Sequence, residues 1–187
     1  VGVAITEDEF ENLGVDFKTR GRRMNDILAA LAALWTEDVP DHAGEFYQFS
    51  GQRFEPKPAQ APLPIHIGGG SSAALRRVAV HGHGWHALGK SPQELAADLK
   101  TLRAWMQAAG RVDDRLHISI RCVVEFVEES WDRPLAERRT LKGTEAEIHG
   151  ILAAYAAAGV DEVVIDANTP DVDLNLAVMQ RVMALVD

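Results

Sequence analysis

The chain predicts an α/β fold on a parallel sheet, and three observations carry that expectation. Short apolar runs alternate with longer helical stripes from Pro64 to the C-terminus. Two of those stripes open on capping-box sequences, Ser91-Pro92-Gln93-Glu94 and Thr144 with Glu147. Glycines stand where strands and helices should stop, at Gly68-Gly69-Gly70, Gly110 and Gly159. Strands separated by helices of ten or more residues pair in parallel, with the helices packed outside. Composition does not choose between a doubly wound sheet and a closed barrel.

Val1 to Ala4 is a short apolar run that ends in acidic residues. A helix is expected from about Thr19 to Trp35, because Ile27, Leu28, Leu31, Leu34 and Trp35 follow the i, i+3, i+4, i+7 stripe. The next stretch alternates at Phe46, Gln48 and Phe49 and carries Pro56, Pro58, Pro62 and Pro64, so it reads as a small excursion with a hairpin. Ile65 to Ile67 is a strand stopped by glycines, and its helix runs through Leu75, Val78 and Ala79. Gly84 to Leu88 is the next strand. Ser91 as N-cap and Pro92 at the first helical position start a helix whose face is Leu95, Leu99, Leu102 and Met106. His117 to Val127 is a longer strand. The helix after Thr144 carries Ile148, Ile151, Leu152 and Tyr155. Val163 to Ile165 is the last strand, and a closing helix runs through Leu174, Val178, Val182 and Leu185.

The 187 residues suffice for one domain with a real core, and 1–187 is read as a single domain. With 47% hydrophobic and 25% charged residues, the composition is that of an ordinary globular protein. The formal net charge of −9 argues against non-specific binding to nucleic acid or to an anionic membrane surface. No run of about 18 apolar residues is present to span a bilayer. The single cysteine, Cys122, excludes an intrachain disulfide and fits a reducing, cytoplasmic setting. The chain opens inside a strand without a start methionine, so residues upstream of Val1 are expected.

Several residues could carry chemistry. Gly68-Gly69-Gly70-Ser71-Ser72 lies between a strand and a helix, where glycines admit a ligand close to backbone N–H groups and the helix N-terminus favours negative charge. Arg76 or Arg77 follows one turn later. The same pattern also describes a tight structural turn with exposed arginines. His81, His83 and His86 could ligate a metal, but strand alternation sets His86 on the face opposite His83 and Trp85, which argues against a metal site. Trp85 and His86 either line a pocket or are a core Trp and a surface His. Glu7 is either an acid or base on a βα loop or part of an acidic first turn. His117, Ser119 and Arg121 share one strand face.

Taken in order, several segments resemble the luciferase-like monooxygenases. Val1-Gly2-Val3 with Glu7-Asp8-Glu9-Phe10 and Leu13-Gly14-Val15 resembles the end of that family's fourth barrel strand. Leu34-Trp35-Thr36-Glu37, Gly44-Glu45-Phe46-Tyr47 and Pro56-Lys57-Pro58 are similar to the lead into its fifth strand, and Pro64-Ile65-His66-Ile67-Gly68-Gly69-Gly70-Ser71 to that strand and its glycine loop. Gly84-Trp85-His86, with Leu88 and Ser91-Pro92, resembles the subgroup that uses the deazaflavin coenzyme F420. Ala4 and Ile5 stand where Gly and Trp are expected, His83 where Asp is usual, and Ala87 where Pro is usual.

The resemblance implies a TIM (β/α)₈ barrel, of which this chain is the C-terminal part. A complete barrel needs about 250 residues, so roughly three βα units are missing. It implies an oxidoreductase that moves a hydride between coenzyme F420 and a small organic substrate. FMN-dependent monooxygenation and a non-catalytic flavin-binding or inactive fragment are the alternatives. It implies that Gly68, Gly69, Gly70, Ser71, Ser72, Arg76, Trp85 and His86 hold the cofactor, with Gly69 donating its N–H to a phosphate. Glu7 becomes the catalytic candidate, and the full-length protein is expected to be a homodimer.

Overall fold

The computed structural model describes residues 1–186. After an extended start come α1 (Glu7–Asn12) and α2 (Arg20–Thr36). A two-residue-per-strand antiparallel hairpin follows, β1 (His42–Ala43) and β2 (Gln48–Phe49). The βα repeat then runs β3 (His66–Gly68), α3 (Ser72–His81), β4 (Gly84–Leu88), α4 (Pro92–Ala108), β5 (His117–Phe126), β6 (Leu141–Gly143), α5 (Glu145–Ala158), β7 (Glu162–Asp166) and α6 (Val172–Met183).

The sheet is parallel, and β3, β4, β5 and β7 are neighbours in chain order. One element departs from the expected order. β6 intervenes in sequence between β5 and β7 and pairs only with the C-terminal end of β5, Val124 to Phe126. The expected first strand, Val1 to Ala4, is reduced to backbone pairing at one residue. The Val1 amine donates to His66 O at 2.6 Å, and Gly68 N–H donates to Val1 O at 2.7 Å. The chain leaves the sheet at Ala4, whose φ is +52°.

Register sorts the strand residues onto two faces. Ile67, Trp85, Ala87, Ile118, Ile120 and Cys122 lie towards the helices and are buried. They pack against Leu75, Val78, Leu95, Leu102, Ile148, Ile151 and Tyr155 to form the core. The opposite, concave face carries His66, His86, His117, Ser119, Arg121, Glu162 and Asp166. Burying the first face against helices at about 25 cal/mol per Å² of apolar surface is the main stabilising term. The apolar side chains of Ile5 and Leu13 remain exposed, as do those of Leu174 and Leu176 on α6.

Three local devices fix the helices. Both capping boxes form as the sequence predicts, Ser91 with Glu94 and Thr144 with Glu147. The Arg111 guanidinium donates to the carbonyls of Val78, Ala79 and Gly82, satisfying the end of α3. Asp26 of α2 accepts from His42 Nε2 and from the N–H groups of Phe46 and Tyr47, which pins the hairpin onto the helix.

The capping glutamates make acid stability a testable property. Hydrogen bonds from Arg139 and from the Ser91 amide hold the Glu94 carboxyl down at about 2. Bonds from Arg138, the Thr144 amide and Ser130 do the same for Glu147, also to about 2. Groups with depressed carboxyl pKa values bind protons more readily in the unfolded chain, so their contribution is complete above about 4.5 and is lost as pH falls towards 2. Burial also holds the His81 and His83 imidazoles below 6.5, and the nearby Arg111 adds to it. The unfolded chain therefore takes up those protons first, and stability begins to decline below pH 6.5. Denaturant titrations between pH 8 and 3 should show two successive losses. A flat profile down to pH 4 would contradict the histidine part.

Candidate functional site

In parallel α/β sheets, ligands are met by the loops that follow the C-terminal strand ends. Here those loops are 68–72 after β3, 88–91 after β4, 127–140 between β5 and β6, and 166–171 after β7. The first is the most unusual. Gly69 has φ +114°, a region L side chains rarely adopt, and its carbonyl accepts from the Trp85 indole Nε1 at 2.7 Å. Its N–H donates to His86 O at 3.2 Å. Gly69 is thus tied on both sides to β4, and it is not the free donor that the resemblance implied.

The free donors begin one residue later. Ser71 is the N-cap of α3: its Oγ accepts from Ala74 N–H at 3.2 Å and its carbonyl from Leu75 N–H. The N–H groups of Gly70, Ser71, Ser72 and Ala73 have no hydrogen-bond partner among the described residues. Ser71 and Ser72 are exposed. Four consecutive unpaired amides at a helix N-terminus form an anion cradle. Gly70 lies directly under the Lys90 side chain: a Cβ there would lie 2.9 Å from Lys90 Cε and 3.5 Å from Leu88 O.

Lys90 is the residue the sequence did not single out. It follows Gly89, whose φ is +60°, and its stem packs beside Gly70. Its Nζ lies 2.8 Å from Asp98 Oδ2, with both side chains about a quarter exposed. Its carbonyl accepts from Tyr155 OH at 2.7 Å, which anchors the loop to α5. Its position directly after a strand end was the available signal, but one lysine in a loop says nothing about where its stem will lie.

The structure redistributes the other expected residues. Gly68, Gly69, Gly70, Ser71 and Ser72 stand together at the mouth. Trp85 is fully buried on the helix side of β4, so it lines no pocket; it shapes the loop through its indole. Arg76 is exposed on α3, and its guanidinium sits 5.2 Å from the Trp105 ring of α4. It is engaged in a cation–π contact between helices, and it is not an arm over the cradle. Arg77 instead ties α3 to α2 through Asn25 and the Gly21 carbonyl. Glu7 opens α1 as part of an exposed acidic first turn and makes no side-chain hydrogen bond or ion pair among the described residues. That arrangement serves the helix dipole. His83 Nδ1 accepts from Ile65 N–H, His81 ends α3, and His86 faces the concave side, so the three histidines do not converge.

His86 is the expected residue that does face the open side of the sheet. Its Nδ1 lies 2.8 Å from Ser119 Oγ on β5, and it is half-buried. Above it Arg121 pairs with Asp166, and below it His117 Nε2 lies 2.9 Å from Glu162. A polar concave face under a loop of free amides can bind an anion at its rim and a polar ring system within.

Solved proteins share this architecture. Monooxygenase RslO1 from Streptomyces bottropensis superposes with a TM-score of 0.79 over 98% of this chain and 65% of its own, at 20% identity. An F420-dependent secondary alcohol dehydrogenase, solved with an F420-acetone adduct, gives 0.78 over 100% of this chain and 68% of its own, at 13% identity. The fold is therefore that of an incomplete luciferase-like TIM barrel. In sequence, an uncharacterized protein of Mycobacterium tuberculosis is 34% identical over 111 residues, 59% of this chain and 38% of that protein. The FMNH(2)-dependent dimethylsulfone monooxygenase of Pseudomonas putida is 31% identical over 133 residues, 69% of this chain and 36% of that protein. The chain thus spans well under half the length of these relatives. The model of the luciferase-like monooxygenase family matches residues 1–130, from the Val1 pairing through the glycine loop, β4 and β5. Sequence and architecture agree, and the chain belongs to the luciferase-like monooxygenase family.

Proposed function

We propose that this chain supplies the phosphate-binding part of an oxidoreductase that moves a hydride between coenzyme F420 and a small organic substrate. The observation that carries this is the run of four free amides at Gly70 to Ala73, beside Lys90, at the C-terminal end of β3. Backbone donors at a helix N-terminus suit the phosphate arm of a flavin-type cofactor. The cofactor, when bound, supplies the hydride chemistry. The chain's own residues bind and orient it: the amides and Ser72 hold the anion, Lys90, paired with Asp98, stands beside Gly70, and Trp85 keeps the loop in shape from behind. Glu7 rests on the family resemblance alone.

F420 is favoured by the Gly84 to Pro92 segment, which resembles the deazaflavin-using subgroup. A second reading, an FMN-dependent monooxygenase, is favoured by the 31% identity to the dimethylsulfone monooxygenase. The two differ in which cofactor the full-length enzyme binds more tightly, and fluorescence titration with both separates them.

The cradle itself has its own test. Ser72 is the first residue of α3, where an aspartate adds about 0.3–1 kcal/mol through the helix dipole. The same carboxylate would repel a bound phosphate, and opposed like charges cost several kcal/mol. Ser72→Asp should therefore leave or raise the melting temperature of the full-length enzyme while weakening cofactor binding roughly tenfold or more, about 1.4 kcal/mol per factor of ten. Unchanged affinity would place the phosphate elsewhere. Gly69→Val is a poor substitute, because φ +114° and the 3.4 Å approach to Ala74 Cβ would damage the loop whatever it binds.

A further inference from the structure

We propose that Ser119 is a positioning residue that fixes the ring of His86, so that the free His86 Nε2 makes the hydrogen bond to the bound cofactor from the concave side of the sheet. This rests on the flavin-type reading above and adds to it a specific contact and the residue that orients it.

Gly68, His86, Ser119 and Glu162 are paired across four adjacent strands and share the concave face. His86 is therefore one strand away from the glycine loop, to which its own carbonyl is bonded through Gly69 N–H. Its ring has one committed nitrogen: Nδ1 lies 2.8 Å from Ser119 Oγ. Nε2 has no partner among the described residues. Ser119 is buried, and its side chain makes no other hydrogen bond among the described residues. The Ser119 hydroxyl can donate to or accept from Nδ1, so the bond fixes the orientation of the ring and the direction of Nε2.

The surroundings favour the neutral ring. Burial holds the imidazole below its ordinary value. Glu162 of β7 opposes this, while the Val1 amine, Arg121 of β5 and His66 of β3 reinforce it. Those are the charged and titratable groups facing His86 from the elements around it. Arg121 is itself paired with Asp166, and His117 with Glu162, so neither carboxylate is committed to His86. His86 thus differs from its neighbours: it is the histidine of this face bonded to an uncharged partner and left with a free nitrogen.

The test is nitrogen-15 NMR of histidine side chains in the full-length protein, with and without coenzyme F420 or FMN, on wild type, Ser119→Ala and Ser119→Thr. In the apo protein at pH 7.5, the His86 ring should be neutral. Ser119→Ala should abolish the cofactor-induced shift of His86 Nε2, and Ser119→Thr should restore it. Adding the cofactor should move the His86 Nε2 resonance and leave exposed His149 unmoved. In turnover, Ser119→Ala should shift the pH midpoint of kcat, whereas a merely structural role would change the melting temperature alone. If F420 or FMN binds and the His86 resonances stay in place, this proposal is overturned while the cradle survives. If His86 responds but Ser72→Asp leaves affinity unchanged, the cradle fails and this contact stands. If neither cofactor binds, both fall.

Discussion

Trp85→Ala is expected to destabilise the fold by about 3–5 kcal/mol, the range for truncating a fully buried Trp. The side chain is completely buried between β4 and the helices, so its loss leaves a cavity in the centre of the core. It also removes the indole that holds Gly69 O at 2.7 Å. Trp85→Phe separates these effects. It keeps most of the packing and removes only the hydrogen bond, worth about 0.5–1.5 kcal/mol. The phenylalanine variant should therefore melt close to wild type but bind the cofactor more weakly, since the loop is no longer tied from behind. Equal losses of stability in the two variants would show that the indole matters only as a bond donor.

Arg138→Ala should be comparably severe. Arg138 is 2% exposed and donates to the carbonyls of Arg133, Trp131 and Lys142 and to the Glu147 carboxylate. It pins the segment between β5 and α5 onto a capping box. Removing one partner of a buried ion pair costs about 3–5 kcal/mol, because the remaining groups are left unsatisfied. Its neighbour Arg139 grips the other capping glutamate, Glu94, from the surface. Exposed pairs of that kind contribute little, so Arg139→Ala should be mild. Protease cleavage within residues 127–143 should rise sharply for Arg138→Ala and little for Arg139→Ala. Equal effects would contradict the burial argument.

These two arginines also show where the sequence stops being informative. The repeating helices were legible because caps and apolar stripes are local: Ser91 to Glu94 and Thr144 to Glu147 fold as their sequences predict. The parity of β4, with His86 opposite Trp85, was legible from alternation. Which parity faces the helices was not, because that depends on the register with Ile67 and Ile118 on neighbouring strands. β6 escaped notice because three residues ending in glycine carry no strand pattern, and they pair only where β5 outruns its neighbours. Arg138 reads as a surface residue until the loop closes around it. In the site, the glycine loop was visible as a cluster of turn residues, but the partner of each amide was not. Gly69 spends its N–H on β4, and the free donors are Gly70 to Ala73. Arg76 was placed one turn from the loop by spacing, yet its stem runs to Trp105.

If the amides of Gly70 to Ala73 hold the phosphate of a flavin-type cofactor, as proposed, cofactor affinity should depend on the charge placed at residue 72. The measurement that tests it most directly is the dissociation constant of coenzyme F420 and of FMN for the full-length enzyme and for Ser72→Asp, read by fluorescence titration, with the melting temperature of each protein recorded alongside. F420 should bind more tightly than FMN, and Ser72→Asp should weaken binding without lowering the melting temperature. Identical dissociation constants for the two proteins would contradict it.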